Sequence, residues 1–188
     1  MKFDPLIHIE ECDLVYAPDD DTFLLLDCVD FTRGERVLEM GCGTGIISVH
    51  CARNGAGVTA VDVNPNAVEC TRRNASANGV DVEVLHSDLF SDVEGEFNLI
   101  LFNPPYLPVM ETGELETAWS GGEGGMEGIG SFLEGVPSHL TDNGRVLLLV
   151  SSKIDQAGLS DGLTGFRAST VATRSFFFEE LRVLFLER

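Results

Sequence analysis

The chain has 188 residues, 44% of them apolar, and its 31 acidic and 12 basic residues give a net charge of -19. This length suits a single domain with one hydrophobic core, and the apolar content excludes a disordered chain. No apolar run approaches the roughly 20 residues of a membrane span. The acidic N-terminus has no apolar signal-peptide core, so we expect neither a membrane segment nor a secretion signal.

The acidic residues are spread along the chain, which has only two lysines, Lys2 and Lys153. A net charge of -19 opposes binding to a phosphate backbone, so direct contact with nucleic acid is not expected. We interpret the charge as a solvated surface suited to a high-salt, halophilic cytoplasm, where salt screens the self-repulsion. A basic partner is the alternative interpretation.

The five cysteines are scattered and odd in number, at positions 12, 28, 42, 51 and 70. No CxxC pair occurs, so no metal site is predicted. The pattern favours a reduced compartment, and we therefore expect a cytoplasmic protein.

Strands and helices alternate along the sequence. The predicted strands are short apolar runs, and they cover Arg36–Met40, 58–63, 82–85, Phe97–Phe102, 145–151 and two segments within 166–187 that meet near 175–179. The predicted helices show apolar residues at helical spacing, and they cover 22–31, Ile46–Arg53, Pro65–Ala77 and 132–140. Asn64 is the expected N-cap of the third helix, and the run DNG at 142–144 is expected to end the fourth.

This alternation predicts an α/β fold, in which a mostly parallel sheet carries helices on both faces and ends in antiparallel C-terminal strands. No linker-like change in composition divides the chain. We therefore expect a single domain over residues 1–188, with an N-terminal cap segment at 1–33 and a Rossmann-like core at 34–188. The long glycine-rich loop from Met110 to Gly130 is typical of a lid or a binding loop.

The stretch LEMGCGTG, from Leu38 to Gly45, places three glycines between a predicted strand and a predicted helix. Gly41, Gly43 and Gly45 lack a Cβ, so the backbone can turn tightly and a ligand can approach it closely. The spacing differs from the dinucleotide fingerprint G-x-G-x-x-G. Glu39, beside the loop, would repel a pyrophosphate and suits a cationic or amine-bearing ligand instead.

Two further acids follow the next strands of the predicted sheet. Asp62 ends the second strand, where an acid binds ribose hydroxyls, and Asp88 follows the third, where it can accept from an exocyclic amine. Each acid alone is more often a solvated loop residue, but Glu39, Asp62 and Asp88 stand at successive strand ends. A nucleoside that carries an amino acid and a sulfonium matches all three, which predicts S-adenosyl-L-methionine as the cofactor.

The motif NPPY, Asn103 to Tyr106, follows the fourth predicted strand, at the edge where open parallel sheets bind ligands. The Asn103 side-chain oxygen and the Pro104 carbonyl can accept both hydrogens of a planar NH2 group. Pro104 and Pro105 hold that carbonyl in place, and Tyr106 can pack on the flat face of the substrate. We expect Asn103, Pro104 and Tyr106 to be catalytic through positioning and electrostatics.

The pattern E-x-G-x-G-x-G, the two later acids and NPPY together resemble a class I S-adenosylmethionine-dependent methyltransferase, a single Rossmann-like domain with a seven-stranded sheet. The resemblance implies further cofactor contacts by Tyr16, Thr22, Val63, Leu89 and Asn103. It implies substrate contacts by Asn103, Pro104, Pro105, Tyr106 and Trp119.

Three other stretches resemble the release-factor glutamine methyltransferases of archaea and eukaryotes, which are HemK-related. VYAPDDDTFLLLD, starting at Val15, is similar to the segment Y-x-P-x-E-D-T-F-L-L-L-D, with Asp20 in place of the usual Glu. TAWSGGEGG, starting at Thr117, is similar to A-W-x-G-G-x-x-G, and EELRVLFLE, starting at Glu179, is similar to the closing strand of that family. The resemblance implies N5-methylation of the glutamine in the Gly-Gly-Gln motif of a class I translation termination factor.

The same resemblance implies a heterodimer with a small zinc-binding activator protein. Such a partner adds to a sheet edge, and the strand from Val82 to Leu85 is the expected edge. An edge that is shielded by its own acids, Asp81 and Glu83, is the alternative.

Other substrates remain open at this point. A methyltransferase for adenine N6 in DNA or RNA would share NPPY, but it should also show a basic stripe or a recognition domain. Another protein side chain, such as lysine, is a further alternative. The intact NPPY motif disfavours a module that binds the cofactor without catalysis.

Overall fold

Residues 1–105 and 126–188 are described by a computed structural model. The strands are β1 (Arg36–Met40), β2 (Gly57–Asp62), β3 (Glu83–His86), β4 (Phe97–Phe102), β5 (Leu140–Ser151), β6 (Arg167–Ser175) and β7 (Glu180–Glu187). The helices are α1 (Asp20–Cys28), α2 (Ile46–Arg53), α3 (Pro65–Ala77), α4 (Glu127–His139) and α5 (Gln156–Gly162). None of these described helices is long and apolar enough to cross a membrane.

The strands form one seven-stranded sheet in the order β3-β2-β1-β4-β5-β7-β6. The strands from β3 to β5 in this order pair in parallel, and β7 pairs antiparallel with both β5 and β6. The chain runs outward from β1 to β3 and then returns to β4 on the other side of β1. This reversal opens a crevice at the carboxyl ends of β1 and β4, where open parallel sheets bind ligands. The predicted fold class is confirmed.

Helices cover both faces of the sheet, and alternate residues of the central strands enter two apolar clusters. Leu38 and Ile100 belong to the cluster that includes residues of α4, whereas Val37 and Leu99 belong to the cluster that includes residues of α1 and α2. All four side chains are fully buried. A strand that is buried on both faces needs apolar residues at successive positions, which explains the unbroken apolar run 146–150 of β5.

Helix α1 spans Asp20–Cys28, whereas the sequence pattern predicted 22–31. The Asp19 carboxylate accepts a hydrogen bond from the Asp20 amide at 2.7 Å and caps the helix. A side chain that satisfies an amide of the first turn fixes where a helix begins. The apolar periodicity alone does not contain this information, because Asp19 to Asp21 are all acidic.

The DNG run at 142–144 does not end α4. That helix starts earlier than predicted, at Glu127, and β5 follows it directly from Leu140, so the run lies inside the strand. The pairing of β4 with β5 shifts register across this run. A Cβ on Gly144 would lie 2.7 Å from the Leu140 side chain and 3.0 Å from the Phe97 carbonyl oxygen. Glycine is therefore required here by close packing, and the expected helix stop is wrong. Helix α5 was not predicted.

Residues 1–19 form an N-terminal arm that lies against α2 and α3. The amide of Asp4 donates to His50 Nε2 at 3.1 Å, which fastens the arm to α2. The amide of Glu10 donates to Asn74 Oδ1 at 2.9 Å, and Asn74 Nδ2 donates to the Glu10 carbonyl at 3.0 Å, which fastens the arm to α3. These bonds guide the arm towards the crevice, where its last residues meet the glycine loop.

A disulfide between Cys12 and Cys70 also joins the arm to α3. The cysteine pattern favoured reduced thiols, and the structure differs for this pair. The two residues are 58 positions apart, and no spacing motif marks them as partners. The remaining cysteines, Cys28, Cys42 and Cys51, are free.

Candidate active site

A cavity of about 370 Å³ lies in the crevice where the strand order reverses. Predicted site residues that line it are Tyr16, Thr22, Glu39, Gly41, Gly43, Asp62, Val63, Asp88, Leu89, Asn103, Pro104 and Pro105. Residues that line it without having been predicted include Val15, Pro18, Asp21, Cys42 and Ser87. Across residues 1–105 and 126–188, no group of three or more His, Cys, Asp or Glu side chains is placed to hold a metal ion.

The glycine loop turns sharply over the carboxyl end of β1. Gly41 has φ 67° and Gly43 has φ 54°, both in the left-handed region that favours glycine, and both line the cavity. Gly45 does not line it. Gly45 is the N-cap of α2 with φ 77°, and a Cβ there would lie 2.7 Å from the side chain of Thr71. Its role in the structure is the close packing of α2 on α3.

Asp62 holds the glycine loop in place. Its Oδ2 accepts from the Gly43 amide at 2.9 Å, and its Oδ1 accepts from the Asn64 amide at 2.8 Å. Burial raises the pKa of the Asp62 carboxyl, and these amide hydrogen bonds act in the opposite direction. The carboxylate thus faces the cavity from the end of β2, where ribose hydroxyls bind in folds of this kind.

Glu39 is buried, with 5% of its surface exposed. Its carboxylate accepts hydrogen bonds from both the amide and the hydroxyl of Ser48 in α2. Burial raises the pKa of Glu39 to about 8, although the hydrogen bonds from Ser48 lower it. Glu39 therefore joins β1 to α2 beneath the loop, and a cation in the cavity would favour its ionised form.

Ser87 fixes the turn that follows β3. The Ser87 hydroxyl donates to the Leu89 carbonyl at 2.8 Å and accepts from the Asp92 amide at 3.0 Å. Leu89 has φ 47°, which a leucine rarely adopts, so the turn depends on these bonds. The result is that Asp88 and Leu89 both line the cavity. The sequence singled out Asp88 and Leu89 but not the serine that positions them.

Asn103 is held in one orientation at the end of β4. Its Nδ2 donates to Asp21 Oδ2 at 3.1 Å. Its Oδ1 is buried and has no hydrogen-bond partner within the described part of the chain. Asn103, Pro104 and Pro105 all line the cavity, so an acceptor oxygen stands where NPPY was expected to grip a substrate. The other two predicted residues, Tyr106 and Trp119, lie outside the described residues.

Asp21 is a second residue of the candidate site that sequence reasoning missed. Its side chain is buried on α1 and accepts from the Thr22 amide at 2.6 Å and from the Thr22 hydroxyl at 3.1 Å. The Tyr16 hydroxyl donates to it at 3.2 Å. Tyr16 and Thr22, which the resemblance implied as cofactor contacts, therefore also hold the acid that orients Asn103. The available signal was the position of Asp21 inside the segment VYAPDDDTFLLLD.

The cavity suits a nucleoside sulfonium beside a planar nitrogen. Asp62 and Asp88 can accept from ribose and base, Gly41 and Gly43 allow close approach, and an oriented amide oxygen borders the same space. This combination on a parallel sheet with a terminal antiparallel strand pair defines a class I S-adenosylmethionine-dependent methyltransferase. The predicted cofactor fits the residues that are present, and S-adenosyl-L-methionine is the methyl donor of this enzyme.

The chain belongs to the methyltransferase small domain family, whose model matches residues 16–174. A putative protein N5-glutamine methyltransferase of Methanocaldococcus jannaschii is 39% identical over 177 residues, which cover 90% of each chain. The methyltransferase HEMK2 of Mus musculus is 32% identical over 188 residues, covering 90% of this chain and 88% of the mouse protein. The resemblance inferred from the motifs is confirmed.

Solved structures share the fold. A chain of the E. cuniculi Mtq2-Trm112 complex, which is described as responsible for methylating the eRF1 translation termination factor, superposes with a TM-score of 0.73. It is 23% identical, with 93% of this chain and 99% of that chain covered. The T. thermophilus 16S rRNA N2 G1207 methyltransferase, solved with AdoMet and guanosine, superposes with a TM-score of 0.69 at 25% identity, covering 92% of this chain and 44% of that one.

Proposed function

We propose that this enzyme transfers a methyl group to the side-chain nitrogen of the glutamine in the Gly-Gly-Gln motif of a class I release factor. The observation that carries the proposal is the buried Asn103 Oδ1 on the cavity wall, which has no hydrogen-bond partner among residues 1–105 and 126–188, while Asn103 Nδ2 donates to Asp21. An oriented acceptor of this kind suits a planar NH2 group. Glutamine as the target is supported by the name of the Methanocaldococcus relative, and the release factor by the description of the E. cuniculi complex.

The chain must overcome the weak nucleophilicity of an amide nitrogen, whose lone pair is delocalised into its carbonyl. Asn103 Oδ1 and the Pro104 carbonyl accept the two hydrogens of the substrate NH2 group and fix its orientation. Acceptors on both hydrogens favour a more pyramidal nitrogen, whose lone pair then points at the methyl carbon. The catalytic contribution is therefore positioning and electrostatics.

We call the two acceptors, Asn103 Oδ1 and the Pro104 carbonyl, the clamp. Asp21 acts as a positioning residue for this clamp. An ionised carboxylate can only accept hydrogen bonds, so the Asn103 amide must turn its NH2 towards Asp21. That choice leaves Oδ1 facing the cavity, which is the orientation that the clamp requires. Tyr106 and Trp119 complete the proposed substrate contacts, with Pro105 holding the turn.

When bound, S-adenosyl-L-methionine supplies an electrophilic methyl group on a sulfonium. Asp62 would hold the ribose hydroxyls and Asp88 an exocyclic amine of the base, while Gly41 and Gly43 admit close backbone contact. The cofactor would supply the methyl carbon and its sulfur would leave as a neutral thioether, while Asn103 and Pro104 would hold the substrate nitrogen that accepts the methyl group. Alkylation makes the nitrogen acidic, so its extra proton passes to solvent and no side-chain base is required.

We also propose a heterodimer with a small zinc-binding activator, in the cytoplasm, where termination factors act. The support is the Trm112 subunit in the E. cuniculi complex and the position of β3 at one end of the sheet. The predicted edge from Val82 to Leu85 overlaps β3, which spans Glu83–His86. Glu83 accepts from the Thr59 hydroxyl at 2.9 Å, so its carboxylate is engaged within the sheet and shields the edge less.

A second candidate is an exocyclic amine of a nucleobase. The clamp can accept its two hydrogens equally well, and the T. thermophilus neighbour was solved with guanosine. The net charge of -19 disfavours this candidate, because it opposes a nucleic-acid backbone. A lysine side chain fits less well, because its ammonium is neither planar nor an amide.

The test is methyl transfer from labelled S-adenosyl-L-methionine to a purified class I release factor in high salt, with and without the candidate activator. Label on the Gly-Gly-Gln form and none on a matched Gly-Gly-Asn form is the expected result. Asn103→Ala is the inactive control and should retain cofactor binding. Label that appears on ribosomal RNA or on lysine, with the release factor unlabelled, would contradict the proposal.

A further inference from the structure

The hairpin between β6 and β7 ends in an exposed aromatic tip, Phe176 to Phe178. Phe177 is 92% exposed and Phe178 is 82% exposed, and their rings pack edge to face with centroids 4.6 Å apart. The proposed methyl transfer does not use these side chains. Neighbouring exposed phenylalanines at a turn leave a large apolar area in water, which is typical of a contact site for another protein.

The tip lies at the edge of the sheet where the parallel strands have their carboxyl ends, beside the candidate active site. Ser151, at the carboxyl end of β5, pairs with Leu181 at the start of β7, so the hairpin turn lies beyond the same strand ends as the active site. The Phe176 amide donates to the Glu179 carbonyl at 2.7 Å, which closes the turn. Arg174 pairs with Asp20 at 2.6 Å, which fixes the hairpin against the start of α1. The tip is therefore held in place beside the site.

A groove of about 180 Å³ lies beside the tip and shares two lining residues with the catalytic cavity. Phe176 and Glu179 line this groove, and Tyr16 and Asp21 line both the groove and the catalytic cavity. Asp19 and Asp20 also line it. Carboxylates outnumber the nearby cations, Arg174 and Lys153, which pair with Asp20 and Glu179. The pKa of the Tyr16 hydroxyl is raised, first by burial and then by these aspartates.

We propose that the aromatic tip is the docking surface for the folded protein substrate, which meets it with an apolar patch bordered by basic side chains. This inference rests on the proposed function. A folded protein whose glutamine enters the cavity must contact the surrounding edge of the sheet, whereas a small-molecule substrate need not. The acidic groove between tip and cavity repels a phosphate backbone and complements a basic protein surface. The activator proposed for β3 does not compete, since β3 and β6 stand at opposite ends of the sheet.

The test compares the double variant Phe177→Ala, Phe178→Ala with the control Val171→Ala. Val171 lies in the same hairpin and is 50% exposed, so the control also removes apolar surface from β6. Rates are measured with intact release factor and with a short peptide that carries the same glutamine. The double variant should raise KM for the intact protein by about tenfold or more, as expected for aromatic anchors at an interface. Its kcat, and its rate with the peptide, should match those of the unsubstituted enzyme.

The other outcomes refute either the docking surface alone or the proposed function together with it. An unchanged KM for the intact protein refutes the docking surface, as does an equal loss with protein and peptide. Loss of activator binding, or a change in oligomeric state, would assign the tip to another contact and also refute it. Absence of any glutamine methylation by the unsubstituted enzyme would instead refute the proposed function, and the docking surface with it. Replacement of both phenylalanines by leucine should restore most of the affinity, because the contact is apolar.

Discussion

Asp21→Asn is expected to slow methyl transfer while cofactor binding stays intact. The new amide keeps its oxygen on the Thr22 amide, which lies 2.6 Å from Asp21 Oδ1, and turns its NH2 towards Asn103. Asn103 then flips and presents NH2 hydrogens, in place of an oxygen, to the NH2 group of the substrate. Hydrogen bonds to charged groups contribute about 1.5–3 kcal/mol. This range corresponds to a loss of about 10- to 150-fold in kcat.

The assay is single-turnover transfer at saturating substrate, with the Kd for S-adenosyl-L-methionine measured separately by calorimetry. Asp27→Asn is the matched control, because it removes the same charge from an exposed position on the same helix. An unchanged kcat in Asp21→Asn would refute the reasoning that a carboxylate selects the orientation of Asn103. A loss in Kd as large as the loss in kcat would show that Asp21 acts on the cofactor instead.

Gly45→Ala should lower the free energy of unfolding by about 2–6 kcal/mol, since it combines left-handed backbone strain with overpacking. Gly34 is also left-handed, but it has open space around it. Gly34→Ala should therefore lower the free energy of unfolding by only about 1–3 kcal/mol. Urea titration of both variants is the measurement, and equal losses would refute the packing argument. Cys12→Ser should lower the free energy of unfolding by about 2–4 kcal/mol, because it opens a loop with a sequence separation of 58; a reductant should destabilise the unsubstituted chain and not the variant. Burial raises the Glu39 pKa from 4.5 to about 8, so between these pH values the folded state binds more protons than the unfolded state. The folded state therefore loses stability as pH rises through this range. The melting temperature of Glu39→Gln should therefore fall less as pH rises between about 4.5 and 8. Parallel curves of melting temperature against pH for the two proteins would contradict a raised pKa of Glu39. A melting temperature that rises with molar salt would support salt adaptation of the acidic surface, and one indifferent to salt would count against it.

The elements with local signals were predicted closely. The third helix has both its N-cap, Asn64, and its first-turn proline in the sequence, and α3 spans the predicted Pro65–Ala77. Strand β4 likewise matches, because an apolar run that ends at two prolines can stop in only one place. The same logic singled out the acids Glu39, Asp62 and Asp88, since each lies near the carboxyl end of a recognisable strand.

The disulfide, the close packing at Gly144 and the role of Asp21 were not predicted, because each depends on a contact between residues that are distant in the sequence. The disulfide joins Cys12 to Cys70 across the fold, and the glycine at 144 is required by Leu140 and the Phe97 carbonyl. Asp21 follows two other aspartates in the sequence, and nothing in the sequence distinguishes it from them. Only its hydrogen bond from Asn103 in the structure does so. Sequence patterns carry periodicity and caps, but they do not state which side chains meet across a cavity.

The order of strands in the sheet has a thermodynamic consequence. Six strand spacings separate β3 from β6, a distance of about 29 Å at roughly 4.8 Å per strand. Perturbations more than about 10 Å apart with no shared partners are usually additive. A partner on β3 and a substrate at the aromatic tip should therefore contribute independent binding free energies. An activator seated on β3 would then act on folding stability or on the cofactor cavity, and would leave the affinity for the substrate surface unchanged.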